Sequence, residues 1–147
     1  MLHNKEISVL IMRSMSEFYS LLKVVNNERI KDGNELTEKQ LMTIIAMKKY
    51  EKIELKNLSK DMHVSTSSLC ILLNKLVDSG YVTREENKQD RRNTFYAATE
   101  KGLNAVDKEM YKILEILTKK IEQLEDIDKQ EIISALATYE RIVAKLI

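Results

Sequence analysis

Four hydroxyl-rich residues in succession, Ser65, Thr66, Ser67 and Ser68, open an amphipathic stretch that ends at Gly80. Hydroxyls and free N–H groups at a helix start can bind phosphate or base edges, and the positive helix pole favours an anion there. Plain capping is the alternative, and Ser65 has the N-cap position in either case. Beyond them Ile71, Asn74 and Lys75 point away from the apolar stripe. Asn74 and Lys75 can reach a base or a phosphate, or else form a solvated face. Ile71 offers only apolar contact, for instance to a thymine methyl, or packs under the hairpin wing that follows. Further on, a loop without glycine holds Asp90, Arg91 and Arg92. A guanidinium fits a narrow minor groove or forks onto phosphate. Asp90 is expected to stiffen the loop, with at least one arginine on nucleic acid. Arg84, at the loop's base, either contacts phosphate or braces Asp90. Thr37, Asn57 and Lys60 are lesser phosphate candidates.

The elements that must position these groups are mostly helices. Ile7, Leu10, Ile11, Met15, Phe18, Leu22 and Val25 recur at three- and four-residue steps and predict a helix from about Lys5 to Arg29. Asp32-Gly33-Asn34 then breaks the chain. Thr37 and Gln40 form a capping box for a second helix, to about Lys49, with Leu36 placed to staple onto Leu41. Tyr50-Glu51-Lys52 reads as a connector. A short helix covers Leu55 to Met62, and His63-Val64 make a turn into the Ser65-capped helix, whose inward stripe is Leu69, Leu72, Leu73 and Leu76. Two β-like runs follow, Tyr81 to Glu85 and Thr94 to Ala98. Thr99 caps a long helix to about Gln123. Asp128 to Glu131 reads as the cap of a last helix that reaches Leu146. The expected fold is therefore mainly α with a small β-hairpin wing, a single domain over 1–147. Residues 37–99 form a winged helix-turn-helix lobe, and 1–34 with 100–147 form a helical dimerisation lobe.

Composition narrows the classes further. The 147 residues contain no proline and three glycines, which favours long helices. One cysteine excludes an intramolecular disulfide framework and a Cys-rich zinc site, and two histidines, His3 and His63, make no His-based site without carboxylates that nothing in the sequence places. Neither a metal nor a cofactor is expected, and no nucleophile–base spacing or Gly-rich phosphate loop points to an enzyme. The apolar run Val9–Met12 is cut by Arg13, far short of a membrane span, so the expected location is the cytoplasm. Net charge is only +1, so any basicity that faces DNA is local.

Four pieces in order, Leu76–Gly80 (LVDSG), Tyr81–Arg84 (YVTR), Asp90–Arg92 (DRR) and Thr99–Gly102 (TEKG), make the chain resemble the MarR family of bacterial transcriptional regulators. The resemblance extends over essentially the whole chain. It implies a dimeric winged-helix DNA binder, often a repressor, that loses affinity for DNA on binding a small phenolic ligand or on oxidation. By position, Ser65 to Asn74 would lie in the major groove and the 84–92 hairpin at the flanking minor groove. Ala98 stands where the family usually has Leu, Ile71 where many members place a polar or basic residue, and Cys70 where Ser or Thr is common. The family's peroxide sensors keep their cysteine in the first helix, which has none here, so Cys70 is read as inert packing.

The expected partners are double-stranded DNA with a pseudo-palindromic site, a second copy of the chain, and a small aromatic or amphipathic effector; no membrane is expected. Met15, Tyr19, Met42, Met47, Met110 and Tyr111 are the candidates to line an effector cavity, with ordinary core as the alternative for the methionines. The leading function is a sequence-specific DNA-binding transcriptional regulator, a repressor released by its effector. The alternative is a helical dimeric protein-interaction module of the same fold that has lost specific DNA binding.

Overall fold

A computed structural model describes residues 3–90 and 92–147. Its elements in order are α1 (Asn4–Lys31), α2 (Glu38–Met47), β1 (Ile53–Glu54), α3 (Leu55–Met62), α4 (Thr66–Asp78), β2 (Val82–Glu86), β3 (Thr94–Ala98), α5 (Glu100–Glu122) and α6 (Asp126–Val143). The strands form one antiparallel sheet in the order β1-β3-β2, with Ile53 opposite Tyr96 and Arg84 opposite Tyr96 from the other side. The sheet thus has one strand more than the expected hairpin. β1 is two residues long, too short for alternation to mark it in sequence, and it lies just past the connector at Tyr50–Lys52.

The core lies where α2, α3, α4 and the sheet meet. Leu36, Leu41, Ile44, Met47, Leu58, Leu69, Leu73, Leu76, Val82 and Tyr96 are all buried in it. The Thr37 capping box is formed, and Leu36 and Leu41 are buried on either side of it. Ala105 and Val106 belong to the same core. The first turns of α5 thus pack into this core, against α2 and β3. At the other end of the chain, α6 begins two residues before Asp128. Glu125 is its N-cap without a side-chain bond, and Asp126 and Asp128 lie in the first turn, at the positive pole.

The terminal helices are covered differently. Of the seven-residue stripe on α1 only Val25 is buried, joined by Arg29, while Leu10, Met15 and Phe18 are exposed by more than half. Helix α6 buries no residue, and Leu136, Tyr139 and Ile133 face outward. No helix among the described residues is long and apolar enough to cross a membrane.

Candidate nucleic-acid interface

The turn between α3 and α4 is held by side chain and backbone together. His63 takes a left-handed conformation (φ 53°), Val64 N–H donates to Ser59 O at 3.1 Å, and Ser59 Oγ donates back to Val64 O at 2.7 Å. Buried Ser59 thus fixes where α4 starts. Ser65 caps α4: its Oγ accepts the Ser68 N–H at 3.3 Å and lies 2.9 Å from Ser68 Oγ and 3.4 Å from Ser67 Oγ. Thr66, Ser67, Ser68, Asn74 and Lys75 are exposed on the outer face. Ile71 is 62% exposed in the middle of that face, so it does not pack under the wing. Cys70 is half-buried, with Asn74 Nδ2 3.9 Å from its sulfur.

The wing is a hairpin closed by backbone and one carboxylate. Asn87 N–H donates to Asn93 O at 2.9 Å, and Asn93 N–H to Asp90 O at 3.0 Å. Asp90 Oδ1 accepts the Arg92 N–H at 3.0 Å, a local Asx turn that presents the exposed Arg92. Arg91 lies outside the described residues. Arg84 is exposed on β2 opposite buried Tyr96. Burial pushes the Tyr96 phenol up, the Arg84 guanidinium pulls against it, and the Cys70 thiol adds to the rise. Among the described residues, the side-chain bond of Asp90 is to Arg92 and not to Arg84.

Helix and wing are joined at one seam. Gly80 has φ +79°, a left-handed position that ends α4 without the strain a Cβ would bring. Thr99 N–H donates to Tyr81 O at 3.0 Å, its Oγ1 donates to Gly80 O at 2.7 Å, and the same oxygen accepts the Gly102 N–H at 3.1 Å. Lys101 Nζ donates to Ser79 O at 2.7 Å and lies 4.7 Å from the Tyr81 ring centroid. The short motifs at Leu76–Tyr81 and Thr99–Gly102 are thus two halves of one joint.

The family model for the "Winged helix DNA-binding domain" matches residues 37–117, over half of the chain. The HTH-type transcriptional regulator SarZ of Staphylococcus saprophyticus is 30% identical over 111 residues, covering 76% of this chain and 73% of that protein. SarZ of Staphylococcus haemolyticus is 37% identical over 90 residues, covering 57% of this chain and 61% of that one. The chain belongs to the MarR family of winged helix-turn-helix transcriptional regulators. Solved MarR structures share its fold over nearly their whole length. A MarR family protein from Bacillus stearothermophilus has a TM-score of 0.75 at 15% identity, over 97% of this chain and 99% of that one. Wild-type MarR in its apo form from E. coli has 0.66 at 17% identity, over 100% and 98%.

Other expected site residues of this MarR-family chain are distributed unevenly. Tyr19 and Met42 face a hollow of about 570 Å³ that is also lined by Lys23, Ser68, Ile71 and Lys75. Met47 lies in the core at 1% exposure instead of lining a cavity, because α2 turns it inward beside Ile44. Tyr111 borders a separate shallow hollow with Glu35 and Lys112, and Met15 and Met110 are exposed on α1 and α5. The six effector candidates therefore do not converge. Asn57 and Lys60 share a polar hollow with Tyr50, Lys52 and Asp61, away from the outer face of α4. Thr37 is engaged in its capping box. Sequence reasoning missed the buried pair of Arg29 and Glu109, which ties α1 to α5. Its only signal was position: Arg29 follows Val25 by four residues, and Glu109 follows Val106 by three.

Proposed function

We propose that this DNA-binding regulator works as a two-fold homodimer in the cytoplasm. Each copy places α4 in the major groove of a half-site and the wing in the flanking minor groove. The observation that carries the reading is the uncovered apolar surface of α1 and α6. A helix such as α6, with Leu136 and Tyr139 exposed and nothing of its own buried, needs a second surface, and another copy supplies a matching one. Two reading heads tied together in this way match a pseudo-palindrome with half-sites about one helical turn apart. Selection from random DNA at moderate salt is expected to enrich one such palindrome. Failure to enrich any, with an intact dimer, favours the second reading, a protein-interaction module, whose support is the exposed Ile71 at the centre of the outer face of α4.

The wing reading has its own test. Replacing Arg91 and Arg92 together by alanine is expected to weaken operator binding about tenfold or more and to flatten the dependence of log K on log salt by roughly one to two units. Equal affinity and an equal slope in the variant would remove the wing from the interface.

We further read the protein as a repressor released by a small aromatic or amphipathic effector. The hollow beside Tyr19 and Met42 is also lined by Ser68, Ile71 and Lys75 of α4, so a molecule seated there competes for groups that would face DNA.

A further inference from the structure

We infer that the buried Arg29–Glu109 pair, together with Asn26, is a positioning device that sets the angle of the DNA-reading lobe against the dimerising helices. Through that angle it sets the half-site spacing the protein accepts. The inference rests on the dimer reading above. Helix α1 has two buried side chains, Val25 and Arg29, both near its C-terminal end, so its anchorage to the lobe is confined to that end. Val25 supplies contact without direction. The Arg29 fork supplies direction: Nη1 bonds Glu109 and donates to Leu36 O at 2.9 Å, and Nε and Nη2 donate to Asn26 Oδ1 at 3.1 and 2.8 Å.

The bonds continue from this fork into the reading lobe. Asn26 Nδ2 donates to Glu38 Oε2 at 3.2 Å, on the first turn of α2. Glu109 Oε1 accepts the Glu35 N–H at 2.8 Å, and Glu35 Oε1 accepts the Tyr81 hydroxyl at 2.9 Å, at the seam of α4 and the wing. Lys112 Nζ reaches Gly33 O at 2.8 Å and Glu109 Oε1 at 3.4 Å. One continuous set of directional bonds therefore runs from α1 to the joint that aims both DNA-facing elements.

A device of this kind has leverage. About 25 residues of α1 precede Arg29, roughly 38 Å at 1.5 Å per residue. A tilt of about 5° at the clamp displaces the far end by roughly 3 Å, close to one base-pair step of about 3.4 Å. An apolar pair fills the same volume but tolerates such tilts, since a fully satisfied buried ion pair contributes direction more than net stability.

The test uses the full-length protein, the palindrome recovered from random DNA, and versions with one or two base pairs added to or removed from its centre. The variant is Arg29→Met with Glu109→Leu, an apolar pair in place of the ionic one. Wild type is expected to lose about tenfold in affinity per step of misregister, as for a mismatched base pair. The variant is expected to remain a dimer, to bind an isolated half-site as wild type does, and to discriminate among spacings by less than about threefold. Should the paired variant not fold, Asn26→Ala, at the half-exposed edge of the fork, is expected to flatten the profile in the same direction. A spacing profile unchanged in the folded variant overturns the positioning role and leaves the dimer reading standing. A wild-type protein indifferent to spacing, or one for which no palindrome is recovered, overturns the reading of a dimer that engages paired half-sites, and the inference with it.

Discussion

Gly102→Ala is expected to destabilise the protein by about 3 kcal/mol and to weaken DNA binding even at temperatures where the variant remains folded. A Cβ built on Gly102 would stand 2.2 Å from Tyr81 O, 3.1 Å from its carbonyl carbon and 3.3 Å from its Cα. The obstacle is backbone, so no side chain can swing aside. Either α5 or the start of β2 must move. Both routes break the seam, since Tyr81 O also accepts the Thr99 N–H and Thr99 Oγ1 holds Gly80 O. The helix propensity gained by alanine is only about 1 kcal/mol and does not offset this. Urea titration followed by circular dichroism measures the loss. At a denaturant-free temperature well below the transition, titration with operator DNA measures the second effect. A variant as stable as wild type would mean that α5 need not lie this close to β2.

That seam shows why part of this molecule was legible in its sequence. Capping residues act over three or four positions, so Thr37, Ser65 and Thr99 announce their helices locally, and all three side chains accept the expected N–H. Heptad-like spacing likewise gave the buried face of α4, with Leu69, Leu73 and Leu76 inside. Asp90 and Arg92 stand where the loop reading put them, at a hairpin tip. The misses share a cause as well. β1 exists because β3 offers it a partner, and Arg29 is buried because Glu109 comes to meet it across 80 positions. Neither residue type nor period records such a meeting. The same holds for the effector candidates: methionine spacing cannot tell Met47, turned into the core, from Met42, turned to the hollow.

The ion pair leads to the other large effect. Arg29→Met alone is expected to cost about 3–5 kcal/mol at neutral pH, because it leaves Glu109 buried without its main counter-charge. Both side chains are fully buried in the wild type. Burial by itself pushes the Glu109 carboxyl up, but the Glu35 N–H, the Arg29 guanidinium and the Lys112 ammonium together hold it below the usual carboxylate value. A carboxyl lowered in the folded state contributes stability that is complete above its unfolded value of about 4.3 and is lost as the pH falls through the folded value. In Arg29→Met burial wins, the carboxyl rises, and the charged form becomes the costly one. The gap between wild type and variant is therefore widest near pH 7 and narrows as acid neutralises Glu109. Denaturant titrations of both proteins at pH 7 and pH 4 would read this directly. A gap of the same size at both pH values would mean that Arg29 contributes through packing and its bonds to Leu36 and Asn26, with the charge of Glu109 irrelevant. The paired variant Arg29→Met with Glu109→Leu separates the two accounts further. Removing both charges together is expected to recover most of the lost stability, since an apolar pair of similar volume has no unpaired ion to bury.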